Sequence, residues 1–472
     1  MPCLYGLRLR LTSWFFNLCY AVALTVACPW ILYRFLVLKK YRGGWAAKML
    51  GLMPELPERH PIDIETKRIW LHAVSVGEVN LLKPLIRQIE EKHPQWQCVI
   101  SSTSSTGFAV AQKLFADRYE VFYAPMDFSW AVRTTLKRLK PDLLVLAEQE
   151  LWPNLIMYCN AFGVKLALVN GRFSDGGFSR YFKIRSIWRF IMRRLDLVCV
   201  QSDTYANWSR QLGAKPEAVH VTGSLKFDNA QTDRNNPATQ SLRQLAGIAS
   251  DEIVFLAGST QEPEEELAVE TWLALRESHP KLRLILVPRH PERFGIVAEM
   301  LNRRVGDSPN CWSRRSELQP AFQSTTCKLV PDLALAYASC SDLTCSEEND
   351  LCKPILVDTV GELGAWWGTV HIAFVGGSMG TRGGQNMLEP AAYGAAVSFG
   401  PKTKNFRDIV SLMLADDAAI VVQDGGELTA FVKKCLDEPE FAETLGHRAQ
   451  HLVQQHFGAT AKTVTLLETL ME

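Results

Sequence analysis

The first fifty residues contain no acid; the first is Glu55. Arg8, Arg10, Arg34, Lys39, Lys40, Arg42 and Lys48 supply charge of one sign only. The 12 cysteines form no CxxC pair and no compact framework, which excludes the common zinc ribbons and a disulfide scaffold. Walker's GxxxxGK[ST] is absent, so no P-loop is present. No short-period repeat occurs, which excludes a solenoid. A formal net charge of +1 gives no bulk attraction to nucleic acid.

What remains is ordinary for a folded body. The chain has 472 residues, 47% hydrophobic and 21% charged, enough for two or three domains with real cores. The cysteines read as reduced, mostly buried thiols. Cys340, Cys345 and Cys352 cluster in an acidic stretch that lacks a fourth closely spaced ligand, so an insertion loop is favoured over a metal site.

From Leu11 to Tyr33 the chain is uncharged and largely apolar, about 23 residues, the length needed to cross a bilayer. Trp14, Trp30 and Tyr33 lie near its ends, where aromatics favour the interface. More positive charge follows the run than precedes it, which predicts a single-pass anchor with the body on the cytoplasmic side. A cleaved signal peptide, or a helix broken at Pro29 and lying in the interface, are the alternatives.

After Gly43-Gly44, short β-branched runs alternate with helical spacing. Candidate strands cover 68–72, 97–101, 120–123, 143–147, 165–169 and 197–200. A second series covers 253–257, 282–287, 354–358, 371–375, 396–399 and 419–422. This alternation predicts βαβ units and two parallel, doubly wound sheets. The polar segment 227–245 reads as a linker. The division is therefore an anchor over 1–45, a first domain over 46–226, and a second over 246–472 that includes the terminal helices.

Ligands of such sheets lie outside the carboxyl ends of the strands, and the motifs begin there. HAVSVGEVN (72–80) puts Glu78 in the first turn of a helix, as a general base or merely as a complement to the helix dipole. The dipole also predicts a stabilised carboxylate. LAEQELWPN (146–154) puts Glu148 and Glu150 on one face if the strand continues, with Asn154 as a helix cap. GSLKFD (223–228) offers Lys226 to an anion, or to solvent. AGSTQEPEEE (257–266) and LVPRHPERF (286–294) bring Gly258, Ser259, Arg289 and His290 to strand ends. FVGGSMGTRGGQNMLEPAAYG (374–394) follows a strand with Gly376, Gly377 and Ser378. Its backbone N–H groups suit a phosphate, and Asn386 and Glu389 open the helix beyond, where Glu389 suits ribose hydroxyls. The stretch 180–194 interleaves Arg180, Lys183, Arg185, Arg189 and Arg193 with bulky apolar residues, which suits an anionic membrane surface or a solvated core helix.

HAVSVGEVN, EQELWPN, GSLKFD, LVPRHPERF, GELG (361–364), FVGGS and GGQNMLEP, in this order, resemble the bacterial 3-deoxy-D-manno-octulosonic acid (Kdo) transferases. The resemblance implies a GT-B fold, two Rossmann-like domains facing a cleft, behind an N-terminal membrane anchor. It implies inverting transfer of Kdo from CMP-Kdo to a lipid A precursor at the inner membrane, without a metal or other cofactor. By position it makes Glu78 the base, Glu148 a second acid, and Arg289, Gly377, Ser378, Asn386 and Glu389 donor-site residues. Gln385 stands where the family often has His. An enzyme of the same fold acting on a UDP-sugar, a lipid-A-disaccharide synthase or an epimerase, is the runner-up. A silent lipid-binding scaffold is the alternative of another class.

Overall fold

The computed structural model describes residues 2–37, 43–54, 56, 66–173, 175–308, 311–318 and 352–472. Cys340 and Cys345 lie outside them. The chain forms two compact units, Met1–Asn229 with His456–Glu472, and Ala230–Gln455.

Among the described residues the first unit holds seven parallel strands: β1 (Arg68–Ala73), β2 (Gln97–Ser102), β3 (Glu120–Tyr123), β4 (Leu143–Ala147), β5 (Lys165–Gly171), β6 (Leu197–Val200) and β7 (Val219–Val221). Their order is β3-β2-β1-β4-β5-β6-β7. Strands such as RIWLHA, LLVLA and LVCV are apolar almost throughout because both faces are covered. Side chains alternate between faces. Trp70, Val99, Leu144 and Leu168 enter one core, and Ile69, Leu71, Val145 and Val169 the other. The order reverses between β1 and β4, so a crevice opens at their carboxyl ends.

The second unit repeats the plan with β8 (Ile253–Thr260), β9 (Leu282–Pro288), β10 (Ser313–Arg314), β11 (Ile355–Leu356), β12 (Ile372–Val375), β13 (Ala396–Phe399) and β14 (Ile420–Val421). The order is β10-β11-β9-β8-β12-β13-β14, again parallel, with its reversal between β8 and β12.

Two boundaries differ from the sequence reading. The last helix, Ala459–Thr469, packs on the first unit, where Ala459, Val464 and Leu467 enter the core. Asp228 fixes its start by accepting from the backbone N–H of Gly458 at 2.7 Å and from that of Thr460. The segment expected as a linker contains a helix, Pro237–Leu245, capped by Asn236 and counted in the second unit. Its polar composition reflects an exposed face, since Leu242 and Thr239 are buried.

The N-terminal helix runs unbroken over Pro2–Leu36 with Pro29 inside it, and Leu9–Leu36 is long and apolar enough to cross a membrane. One face is tied to the body. Asn17 donates to Ser129 Oγ at 2.7 Å and accepts from Ser129 N at 3.0 Å and Asn154 Nδ2 at 3.1 Å. Tyr20 donates to Asp127 at 2.7 Å, and Ser13 meets the Tyr158 hydroxyl at 3.2 Å. Asn154 is therefore not the cap expected of it. Asp127 caps that helix instead, accepting from the N–H groups of Asn154 and Leu155 at 2.9 and 2.7 Å. The opposite face exposes Leu11, Trp14, Leu18, Val22, Val26 and Trp30 at helical spacing.

Burial pushes the Asp127 carboxyl up to about 7, against the hydrogen bonds from Tyr20, Asn154 and Leu155. A raised carboxyl favours the folded state when protonated. Its contribution is present below the ordinary Asp pKa and is lost as pH rises to about 7. The Asp127→Asn variant, which cannot titrate there, should show a smaller Tm difference between pH 5 and 8 than the parent chain. Equal slopes would remove Asp127 as the source.

Candidate active site

The reversal between β1 and β4 places two expected acids at one crevice. β1 ends at Ala73, and Ser75 caps the helix Val76–Lys92 by accepting from the Glu78 N–H at 3.3 Å. Glu78 reaches back, accepting from Val74 N–H at 2.8 Å and Ser75 Oγ at 2.7 Å. This is a reciprocal capping box. Each carboxylate oxygen accepts one bond here and keeps a second lone pair, so capping leaves room for proton transfer.

The helix-dipole argument expects a stabilised carboxylate, but the net shift is upward. Burial raises the Glu78 carboxyl most, the hydrogen bonds from Val74 and Ser75 oppose it, and the Glu148 charge adds to the rise. Desolvation outweighs the hydrogen bonds at the helix start, which makes Glu78 a stronger base than its position alone suggests.

β4 stops at Ala147 and does not carry Glu148 and Glu150 onto one face. Glu148 turns into the left-handed region at φ 57, a conformation that costs about 1–2 kcal/mol for a residue with a Cβ. The turn directs its carboxylate to Arg172 Nε at 3.3 Å and Asn170 Nδ2 at 3.5 Å. Asn170, at φ 56 and fully buried, also accepts from Leu225 N–H at 3.1 Å, tying β5 to the loop that bears Lys226. Glu150 accepts from Trp152 Nε1 at 2.8 Å. Burial raises its carboxyl, the Trp152 bond opposes this, and the charges of Glu78 and Glu148 add to it. The three acids thus share one electrostatic site.

In the second unit the structure redistributes the expected roles. Glu264, at the start of the helix Glu264–Leu275, is fully buried and fills the glycine loop with its own carboxylate. Its Oε2 accepts from Gly377 N–H at 2.7 Å and Gln261 N–H at 2.9 Å. Its Oε1 accepts from Ser378 N–H at 2.8 Å and Met379 N–H at 2.9 Å. The N–H groups expected to hold a phosphate are therefore committed to a carboxylate of the chain.

Ser378 is also internal, its Oγ donating to Val375 O at 2.6 Å and accepting from Gly400 N–H at 2.8 Å. A Cβ at Gly376 would lie 2.7 Å from Glu264 Oε2, and one at Gly258 would lie 2.4 Å from the Trp367 ring. Gly258 therefore admits Trp367, where a close approach to ligand was expected. Ser259 is buried at φ 56.

Four donor-site candidates keep accessible groups. Arg289 is exposed, and His290 is partly so. Asn386 donates to Glu389 Oε1 at 2.9 Å and accepts from Leu388 N–H at 3.3 Å. The helix opens at Leu388, later than expected, with Glu389 in its first turn. Burial raises the Glu389 carboxyl, against the Asn386 bond and the Arg289 charge. Arg289, Asn386 and Glu389 thus come together, and Gln385 packs beside Gly377.

Residues 45–229 match the family described as 3-deoxy-D-manno-octulosonic-acid transferase (kdotransferase). A 3-deoxy-D-manno-octulosonic acid transferase of Bordetella pertussis is 31% identical over 408 residues, 85% of this chain and 86% of that one. The chain belongs to the Kdo transferase family. The Haemophilus influenzae 3-deoxy-D-manno-octulosonic acid transferase is 29% identical over 405 residues, 86% of this chain and 87% of its own. Among solved structures, a putative UDP-N-acetylglucosamine 2-epimerase from Listeria monocytogenes superposes with a TM-score of 0.54 at 11% identity, covering 86% of this chain and 96% of that one. That likeness gives the fold class, GT-B. Both of these sequence relatives are Kdo transferases, so the epimerase alternative is not favoured.

In this Kdo transferase Lys226 is half-buried on the loop that Asn170 holds. The basic stretch forms two helices, Asp175–Lys183 and Arg185–Met192, broken at Ile184. Arg180, Lys183, Arg185, Arg189 and Arg193 are exposed beside Phe182, Ile184 and Ile187, while Tyr181, Trp188 and Phe190 pack on the core. The motif arginine Arg293 pairs with Glu265 at 2.9 Å, and Glu362 of GELG pairs with Arg315 at 2.8 Å, so both serve the fold. Glu264, Asn170 and Arg172 escape the sequence reading. The run of three glutamates at 264–266 was a usable signal for Glu264, since acids favour a helix start.

Proposed function

We propose that the chain transfers Kdo from CMP-Kdo to a lipid A precursor, inverting the anomeric centre in a single displacement. The first unit binds the acceptor, and Glu78 takes the proton of its attacking hydroxyl as the C–O bond forms. Glu148, held by Arg172, accepts hydrogen bonds from the acceptor. The second unit binds the donor. Glu389, aligned by Asn386, accepts from the ribose, and Arg289 meets the single phosphate of the departing CMP, while Lys226 of the first unit is a further anion contact. The arginine offsets the leaving charge without calling on a metal ion. The observation that carries the reading is Glu78, a carboxyl raised by burial and standing at the sheet reversal of a Kdo transferase family chain.

Membrane association rests on the N-terminal helix and on the basic, apolar-tipped pair of helices over 175–192. Together they favour a body held at the cytoplasmic face of the inner membrane, with the helix lying along the body in the interface while its bonds to the body hold. While Ser13, Asn17 and Tyr20 hold the body, their face of the helix is closed to lipid, and the outer stripe meets it. Incubating a lipid A precursor with the membrane fraction and CMP-Kdo should add the mass of one or more Kdo residues. No added mass, or tight binding of UDP in place of CMP, would sink the reading.

A further inference from the structure

The first unit contains a cavity of about 310 Å³ between the N-terminal helix and the carboxyl edge of the sheet. Tyr20, Leu24 and Ala27 of the helix form one wall, and Ala124, Phe128 and Trp152 of the body form another. It is partly open, a groove with a mostly apolar wall.

The polar side chains in the wall identify what fits. Asp127 already accepts from Tyr20 and from the N–H groups of Asn154 and Leu155. His72 Nδ1 and Trp70 Nε1 both meet Ser101 Oγ, at 2.9 and 2.7 Å. Burial lowers His72 to about 4, so it carries no charge at neutral pH. Apart from these side chains and the Thr103 hydroxyl, the wall is hydrocarbon or aromatic. A sugar, phosphate or nucleotide would lose far more hydration there than these few polar groups could replace. A hydrocarbon chain would lose nothing.

Two observations say where that chain comes from. One wall is the helix whose opposite face exposes an apolar stripe, so the cavity lies beside the element that meets lipid. The other wall, Trp152, donates directly to Glu150, which shares a site with Glu78 and Glu148. A lipid with its head at the acids has its chains within reach of this cavity. We propose that the cavity receives one acyl chain of the lipid acceptor and so positions the acceptor hydroxyl. The proposal rests on the acceptor assignment made above.

Ala27→Phe and, separately, Ala124→Leu fill the cavity in the full-length chain. KM for the acylated lipid A precursor should rise about tenfold or more, while KM for the O-deacylated precursor moves less than about twofold. Unchanged kcat on the O-deacylated precursor shows that the first unit of each variant is folded; should Ala124→Leu lose it, Ala27→Phe decides. An unchanged KM for the acylated precursor, or equal shifts for both acceptors, would overturn the proposal.

The cavity can be tested apart from the reaction. Binding of radiolabelled acylated precursor to the chain in detergent should weaken by a similar factor in Ala27→Phe, even if no Kdo is transferred. Equal binding overturns the cavity assignment, whereas a parent chain that transfers no Kdo overturns only the functional reading. Loss of co-purified phospholipid with precursor binding unchanged gives the cavity to bilayer lipid and also overturns the proposal.

Discussion

Glu78→Gln lowers kcat at least about a hundredfold while CMP-Kdo still binds, because general-base assistance is typically worth ~10² to 10⁴. Glutamine suits the test, since it serves at this position of a capping box as glutamate does. The Val74 N–H keeps an acceptor in the amide oxygen, and the helix Val76–Lys92 keeps its start. What disappears is the ability to take a proton. A matching loss on Glu78→Ala with normal turnover in Glu78→Gln would make the residue a cap alone, and near-wild-type kcat in both would remove it from the chemistry.

The pH profile gives the same test a second readout. The base form of Glu78 is lost as pH falls through its raised pKa, so the acid limb of kcat/KM should lie above the range of an ordinary glutamate. Burial is the main cause and the Glu148 charge a lesser one. Glu148→Gln should therefore move the limb slightly to lower pH without restoring an ordinary value. A limb that stays put in Glu148→Gln, or that lies at the ordinary value in the parent chain, would uncouple the two acids.

The strands were legible because a parallel sheet covered on both faces needs continuous apolar runs. Glu120–Tyr123, Leu143–Ala147, Leu197–Val200 and Ala396–Phe399 fall where such runs lie between polar breakers. Edge strands Val219–Val221 and Ser313–Arg314 escaped, being three and two residues long and held by one neighbour each. The helix Ala459–Thr469 was visible as a helix, but its apolar stripe does not say which of two cores it joins.

At the site, residue type was more legible than conformation. Glu78 and Glu148 stand out as acids at strand ends, yet the left-handed turn at Glu148 depends on Arg172 and Asn170, which lie far along the chain. Ser13 and Asn17 are conspicuous as polar residues in an apolar run, but nothing local reveals Ser129, Tyr158 and Asn154 as their partners. The glycine loop after β12 shows how a sound rule overreaches. Glycines after a strand do expose N–H groups to an anion, and the anion here is a residue of the chain.

That residue carries the second large prediction. Glu264→Ala should lower the melting temperature of the second unit on the order of 10 °C. Four backbone donors, the buried ones of Gly377 and Ser378 and the part-buried ones of Gln261 and Met379, would lose their acceptor at once. A donor left unsatisfied in the interior costs ~1–3 kcal/mol, and even with relaxation and entering water the sum reaches several kcal/mol. Glutamine is no conservative replacement here, because its NH₂ would face two N–H donors where Oε2 now accepts. Glu264→Gln should melt between the parent and Glu264→Ala. Added formate, a carboxylate small enough to enter the vacated nest, should restore part of the loss in Glu264→Ala and leave the parent unchanged. A melting temperature in Glu264→Ala within a degree or two of the parent would show that the loop N–H groups find other acceptors, and would reopen them to a phosphate.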